Sequence, residues 1–171
     1  LQMIRRRINS PLTSSCGRLF DAVAALAGVR QEVNYEAQAA IELEMCMDKE
    51  AEGSYPLGLV EQNGGWQIDT RPLFEAIVQD LRRATPASVI SMRFHRGLVE
   101  VFAGVATAIR ERTKLNRVVL SGGTFQNGYL LEQLPRRLTQ AGFEVFTPAQ
   151  VPAGDGGLSL GQAIVATQQF T

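Results

Sequence analysis

The sequence is poor in the residues that build disulfide frameworks and transition-metal sites. Its 171 residues include two cysteines, Cys16 and Cys46, and one histidine, His95. Because neither cysteine lies in a CxxC pair, the pattern excludes a disulfide scaffold and favours a reduced, cytoplasmic protein. One histidine cannot supply the imidazole cluster that a transition metal prefers, so we interpret His95 as a packed or partly exposed helix residue.

The sequence also lacks long apolar runs and an excess of charge of one sign. Lysine plus arginine equals aspartate plus glutamate at 17 each, which gives no long-range attraction to nucleic acid or to an anionic membrane. No apolar run approaches the roughly 18 residues of a membrane span. Segment 1–7 has no signal-peptide apolar region after it and is typical of a helix entered midway, which is a first indication of a fragment. We expect neither nucleic acid nor a membrane as a partner.

What the sequence does contain is helical periodicity followed by an alternation of strands and helices. Apolar residues recur at helical spacing over 16–28, 36–47, 71–84 and 86–113. Asn63-Gly64 between two short apolar stretches predicts a β-hairpin within 55–69. Short buried strands at 117–120 and 143–146, with helices at 127–141 and 158–169, predict an α/β layer with parallel strands. We therefore predict a helical segment with a hairpin over 1–85, joined to an α/β half over 86–171.

The first candidate site is the glycine turn after the strand at 117–120. Gly122 and Gly123 lead from that strand into a helix that begins at Asn127. Backbone without Cβ atoms can approach a ligand closely, and free N–H groups near a helix start favour phosphate. Ligands of α/β sheets bind at the carboxyl ends of strands, where this turn lies. The pair alone is equally compatible with an ordinary strand-to-helix turn, and Asn127 could contact a nucleoside or only cap the helix.

Two further places combine a carboxylate with glycine. Asp155 lies between glycines and could ligate a hard cation or cap the last helix. Arg18 and Asp21 are three residues apart on one helix face, where Asp21 could accept from ribose hydroxyls while Gly17 lets a ligand come close. The alternative for this pair is a modest surface ion pair. Three glutamates could form a solvated helix face, and no catalytic role is assigned to them: Glu36, Glu42 and Glu44.

Four stretches, in this order, together resemble one family. They are Ser-Ser-x-Gly-Arg-Leu-Phe-Asp-Ala at 14–22, Tyr-Glu-Ala-Gln-Ala-Ala at 35–40, Ser-Gly-Gly-Thr-Phe-Gln-Asn at 121–127 and Asp-Gly-Gly-Leu-Ser-Leu-Gly-Gln at 155–162. As a set they resemble the C-terminal part of the hydrogenase-maturation carbamoyltransferases (HypF), and more distantly the tRNA threonylcarbamoyltransferases. The resemblance implies an α/β fold, namely one ribonuclease-H-like half of an actin/sugar-kinase-type domain.

The resemblance also implies a function for a longer parent enzyme. That enzyme would form carbamoyl adenylate from carbamoyl phosphate and ATP, and pass the carbamoyl group to the C-terminal cysteine of its partner HypE for the cyanide ligand of nickel–iron hydrogenase. By this resemblance Asp21 lies near the ribose, while Gly122, Gly123 and Asn127 hold phosphate and nucleoside. Asp155 would complete a divalent metal site for Mg, Fe or Zn. The resemblance assigns none of these residues as a general base.

The sequence departs from the family pattern in two ways. The family usually has glycine where Ala37 stands, in a segment that approaches the nucleoside. The family's His-rich metal motif, its first phosphate loop and its N-terminal domains precede the matching region and are the expected partners of this chain. We therefore expect the chain alone to be inactive and to bind nucleotide weakly. Two alternatives stay open: a small-molecule O-carbamoyltransferase on the same scaffold, and a non-catalytic interaction module that docks through its long helices.

Overall fold

A computed structural model describes residues 2–62 and 64–169 of the chain. In chain order the elements are α1 (Gln2–Arg6), α2 (Cys16–Leu26), α3 (Gln38–Met45), β1 (Gly58–Gln62), β2 (Gly65–Asp69), α4 (Arg71–Arg82), α5 (Ala87–Thr113), β3 (Arg117–Val119), α6 (Gly128–Gln140), β4 (Glu144–Phe146) and α7 (Leu158–Gln169). Short 3₁₀ turns at Gly123–Gln126 and Asp155–Gly157 precede α6 and α7. Within these ranges no helix combines the length and the apolar character that a bilayer span needs.

The predicted hairpin is present. Strands β1 and β2 pair antiparallel from Gly58 opposite Asp69 to Gln62 opposite Gly65. The Asn-Gly turn predicted between them includes position 63, which lies outside the described residues. The hairpin is fastened to the end of α5 by Arg112, whose guanidinium lies 4.5 Å over the ring of Trp66 and also forms an ion pair with Glu61.

One hydrophobic core extends through both predicted parts of the chain. Its largest members come from α2 to α6, with α5 at the centre. They include Phe20, Val23, Leu43, Leu73, Ile77, Ile90, Phe94, Leu98, Leu130, Leu134 and Leu138. Residues on both sides of position 85 share this core. The division of the chain into 1–85 and 86–171 stays a prediction. Helix α6 continues unbroken through Pro135. From the sequence, this proline was compatible with either a kink or a break.

The small sheet is parallel as predicted, but its strands are not buried. Strand β3 pairs with β4 from Arg117 opposite Glu144 to Val119 opposite Phe146. Val119 is 69% exposed and Phe146 is 44% exposed, so the prediction of a buried strand is wrong. Side chains alternate between the two faces of a strand, and the helices of the described chain cover only one face of this sheet.

Segment 51–57 is held against α4 and α5 by a buried polar network. The Tyr55 hydroxyl and the Arg93 guanidinium both donate to Oδ2 of Asp80 at 2.6 Å, and the Tyr55 N–H donates to the Arg93 carbonyl at 3.0 Å. Burial opposes ionisation of Asp80, but the two hydrogen bonds outweigh it and lower the pKa of this carboxyl. Burial, reinforced by the hydrogen bond to Asp80, raises the pKa of Tyr55. The network therefore fixes the path of this segment without leaving a buried charge unpaired.

Candidate functional site

A cleft of about 570 Å³ lies where the loops after β3 and β4 meet α2 and α3. Its volume is within the usual range of small-molecule sites, about 300–1,000 Å³. Five of the six predicted site residues line it: Gly17, Asp21, Gly123, Asn127 and Asp155. The sixth, Gly122, directly precedes Gly123 in the wall. The structure thus brings together three segments that are far apart in sequence.

The two glycine loops are joined through their backbones. The Gly122 N–H donates to the carbonyl of Ala153 at 2.7 Å, and the Ser121 hydroxyl donates to the same carbonyl at 3.3 Å. Gly122 has φ of 103° and ψ of 163°, a conformation that is essentially restricted to glycine. The next two N–H groups, of Gly123 and Thr124, donate to no protein group in the described part of the chain. They are therefore available to an anionic ligand in the cleft.

Two of the first three N–H groups of α6 are already paired with side chains, and the predicted phosphate contact at this helix start stays a prediction. The Tyr129 N–H donates to Oε1 of Glu44 at 3.1 Å, and the Leu130 N–H donates to Oδ1 of Asn127 at 2.9 Å. A helix start that already binds a carboxylate has little attraction left for a second anion. The N–H groups near this helix start without an acceptor among the described residues are those of Gly123 and Thr124 in the 3₁₀ turn and that of Gly128, the first residue of α6.

The interpretation of the α3 glutamates as a solvated face is also wrong for two of them. Glu44 lines the cleft and holds the start of α6, as described above. Glu42 accepts two hydrogen bonds of 2.7 Å from Arg30 and one of 2.9 Å from Gln38. The hydrogen bond from Arg30 is the main reason that the pKa of Glu42 is lowered. Both carboxylates join α3 to its neighbours, a role that helical spacing does not reveal.

Asp21 forms the predicted ion pair with Arg18 and also lines the cleft, while its contact with a ribose stays a prediction. Its Oδ2 lies 3.0 Å from the Arg18 guanidinium, and its side chain is 30% exposed at the edge of the cleft. The Ser15 hydroxyl oxygen accepts from the Arg18 N–H and caps α2, which fixes where this helix begins. An exposed ion pair of this kind contributes at most about 1 kcal/mol, so it leaves the carboxylate accessible to a ligand hydroxyl.

Asp155 does not form a metal site with the other described residues. It is exposed at the start of the 3₁₀ turn that leads into α7, and no described group donates a hydrogen bond to its side chain. Residues 2–62 and 64–169 contain no group of three histidine, cysteine, aspartate or glutamate side chains that could hold a metal ion. A metal held at Asp155 would therefore need ligands other than the described side chains.

His95 is a packed residue, as predicted, but it is connected to the cleft. It is fully buried in α5, with Nδ1 2.8 Å from the Ser91 carbonyl and Nε2 3.1 Å from Nδ2 of Asn127. Burial lowers the pKa of His95 to about 4, although the hydrogen bond to the Ser91 carbonyl opposes this shift. This link has no local sequence pattern, because 32 residues separate the two partners.

Ala37 has the backbone conformation of a glycine. It lines the cleft just before α3, with φ of 62° and ψ of 6° in the left-handed region. A Cβ atom in this region is crowded by the backbone, at a cost of about 1–2 kcal/mol. The conformation explains why glycine suits this position better than alanine.

Ala37→Gly is expected to raise the free energy of unfolding by about 1 kcal/mol, because relief of the crowded Cβ exceeds the added flexibility of the unfolded chain. Urea unfolding followed by circular dichroism measures this. Ala84→Gly, at φ of 56°, should stabilise in the same way. Ala22→Gly, on the exposed face of α2, should destabilise by about 1 kcal/mol. A loss of stability in the Ala37 variant would contradict the left-handed conformation.

The fold and the cleft define a helix-rich α/β domain with a cleft at the carboxyl ends of two parallel strands. Comparison with known proteins identifies which domain of this class it is. The chain belongs to the HypF carbamoyltransferases: the family model described as "Carbamoyltransferase, Kae1-like Domain, second subdomain" matches residues 1–162. The predicted resemblance and the predicted fold class are both confirmed.

Similar proteins cover this chain almost completely. HypF of Synechocystis sp. is 38% identical over 98% of the chain. A crystal structure of full-length HypF in the phosphate- and nucleotide-bound form superposes with a TM-score of 0.91 at 45% identity over 98% of the chain. The crystal structure of T. kodakarensis HypF gives 0.80 at 28% identity over 96%. The chain spans only 21–22% of the length of these proteins.

Proposed function

We propose that the chain is the nucleotide-binding half of an ATP-dependent carbamoyltransferase, and that it acts as part of a longer polypeptide. The observation that carries this proposal is the meeting of both glycine loops with the start of α2 around one cleft. A similar protein also supports the proposal, because the full-length HypF was crystallised in a phosphate- and nucleotide-bound form.

In this proposal each wall of the cleft holds one part of ATP. The Asp21 carboxylate accepts from ribose hydroxyls, and Asn127 contacts the nucleoside. The N–H groups of Gly123 and Thr124 donate to phosphate oxygens, and the backbone conformation of Gly122 orients the 3₁₀ turn that carries them. The chemistry is positioning: hydrolysis of carbamoyl phosphate releases inorganic phosphate and carbamate, a carbamate oxygen attacks the α-phosphorus of ATP in line, and pyrophosphate leaves. The carbamoyl group of the adenylate then passes to the C-terminal cysteine thiol of HypE, and AMP leaves.

The charges of the cleft indicate that ATP binding needs further positively charged groups. Among the described lining residues are four carboxylates and one guanidinium, that of Arg18. The carboxylates belong to Asp21, Glu36, Glu44 and Asp155. They repel the phosphates of ATP, so positive charge must come from a divalent cation or from the rest of the polypeptide. We propose that Asp155 contributes one ligand to such a cation, which can be Mg, Fe or Zn. Each missing charge-assisted contact costs about 1.5–3 kcal/mol, so the chain alone should bind ATP weakly and be inactive.

Exposed apolar surface supports a role for the remaining N-terminal domains as partners. Every side chain from Leu158 to Gln168 in α7 is exposed, including four large apolar ones. These are Leu158, Leu160, Ile164 and Val165. These side chains, and separately Val119 of β3, are exposed apolar groups that a longer polypeptide would cover. A cytoplasmic setting completes the proposal and is supported by the free thiols of Cys16 and Cys46.

In the intact enzyme, Asp155→Ala should lower ATP–pyrophosphate exchange in the presence of carbamoyl phosphate by about 100-fold or more, because charge stabilisation beside the phosphates is lost. Radiolabel exchange measures this directly, and calorimetry gives ATP binding of the wild-type enzyme. Glu111→Ala is the matched control: it removes an exposed carboxylate at the far end of α5 and should leave exchange unchanged. Undiminished exchange in the Asp155 variant would count against the proposed site.

The acceptor distinguishes the proposal from its alternatives. With ATP and carbamoyl phosphate, the intact enzyme should add a carbamoyl group to the cysteine of a peptide with a HypE-type C-terminus, which mass spectrometry detects. Modification of a small hydroxyl compound instead would indicate an O-carbamoyltransferase. An intact enzyme that makes no adenylate would indicate an interaction module.

A further inference from the structure

We propose that His95 is a positioning residue, which holds the side-chain amide of Asn127 in the orientation that a nucleotide in the cleft requires. This inference deepens the proposed function and rests on it. Its basis is a chain of hydrogen bonds that runs from the interior of α5 through His95 and Asn127 to the first turn of α6.

The groups at the two ends of this series of hydrogen bonds determine where each of its protons lies. The backbone N–H of Leu130 can only donate, so the Asn127 atom that it contacts at 2.9 Å is Oδ1, and Nδ2 faces His95. Because Nδ2 can only donate, Nε2 of His95 must accept across 3.1 Å. The imidazole proton is therefore on Nδ1, where it donates to the Ser91 carbonyl at 2.8 Å. Only neutral His95 in this one tautomer satisfies all three contacts.

Packing gives the imidazole ring no freedom to turn. His95 is fully buried and makes edge-on contacts with Phe20, Phe94 and Tyr129, with ring centroids 5.4–5.8 Å apart. Ser91, one turn earlier, is also buried, and its hydroxyl donates to the Leu43 carbonyl of α3. The acceptor that His95 presents to Asn127 is thus fixed by α2, α3, α5 and α6 together.

Two hydrogen bonds fix the plane of the Asn127 amide, whereas one would not. With the bond to Leu130 alone, the NH₂ group could swing about the contact through Oδ1, because this terminal torsion is broad. The bond to His95 removes that freedom. One N–H of Nδ2 and one lone pair of Oδ1 remain, and the half-buried side chain lines the cleft. A preorganised donor and acceptor bind a ligand more tightly, because their orientation need not be fixed on binding.

Two variants of similar size separate positioning from packing. In His95→Gln the side-chain carbonyl reaches the place of Nε2 and can still accept from Asn127. In His95→Asn the shorter amide reaches the place of Nδ1, so it can still donate to the Ser91 carbonyl but no longer touches Asn127. Calorimetric titration of the intact enzyme with ATP is the measurement, with circular dichroism to confirm folding. His95→Asn should weaken ATP binding about tenfold, and His95→Gln should stay within about threefold of wild type.

The possible results have different meanings. A wild-type enzyme that does not bind ATP would overturn the proposed function together with this inference. ATP binding that is equal in wild type and His95→Asn, or equally weakened in both variants, would overturn the inference alone. If His95→Asn does not fold, the wild-type intact enzyme still provides a test. Long-range ¹⁵N–¹H correlation spectra should show a protonated Nδ1 and an unprotonated Nε2, and the opposite tautomer would overturn the inference.

Discussion

Gly97→Ala should lower the free energy of unfolding by about 3 kcal/mol, although alanine is the better helix former. Gly97 lies fully inside α5, where segment 51–57 crosses the helix. A Cβ atom added there would lie 2.5 Å from the Tyr55 carbonyl oxygen and 3.0 Å from Cδ1 of Leu57. The first contact is with a backbone atom, so the main chain of segment 51–57 must move. That movement would pull Tyr55 away from Asp80 and Arg93, and a disturbed buried charge pair is costly.

The same helix provides the control for this prediction. Gly104 is exposed, and an added Cβ atom there would meet no atom within 4 Å. Gly104→Ala should therefore stabilise the chain by about 1 kcal/mol through helix propensity alone. Urea unfolding of the two variants, followed by circular dichroism, gives the difference that belongs to the clash. A Gly97 variant as stable as wild type would mean that segment 51–57 does not cross α5 this closely.

Elements whose signal is local were predictable from the sequence. The hairpin followed from Asn-Gly between apolar stretches, and helices α4 and α5 followed from apolar spacing. The parallel pairing of β3 and β4 followed from the alternation of strands and helices. The exposure of Val119 was not predictable, because an apolar run of three residues has the same pattern whether one face or both faces of its sheet are covered.

In the candidate site, too, only the features with a local sequence signal were predictable. Gly122 and Gly123 carry a signal in their own sequence, and the structure places their turn at the cleft. The capping of α6 by Glu44 spans 85 residues, and the link from His95 to Asn127 spans 32. Neither contact has a local pattern, because each depends on how α3, α5 and α6 pack. Sequence reasoning therefore located the wall of the site but not the residues that hold the wall in place.

Lowering the pH from 7 to 4 should reduce the stability of the chain by about 3 kcal/mol through His95 alone. Its pKa falls from the ordinary 6.5 to about 4 in the folded protein, mainly because of burial. Below pH 6.5 the unfolded chain takes up a proton at His95, whereas the folded chain does not until about pH 4. The stabilisation is thus complete above pH 6.5 and decreases by about 1.4 kcal/mol for each pH unit down to the folded pKa.

The His95→Gln variant isolates this effect, because glutamine does not titrate. The carboxylates with lowered pKa, such as Asp80, are present in both proteins and cancel in the difference. Urea unfolding at intervals from pH 7 to pH 4 should show the gap between wild type and variant changing by about 3 kcal/mol in the direction that favours the variant at low pH. Parallel curves would mean that His95 is accessible to protons in the folded state. In that case the ring would stop accepting from Asn127 as the pH falls below about 6.5, since a protonated Nε2 faces the Asn127 NH₂ group with a second donor.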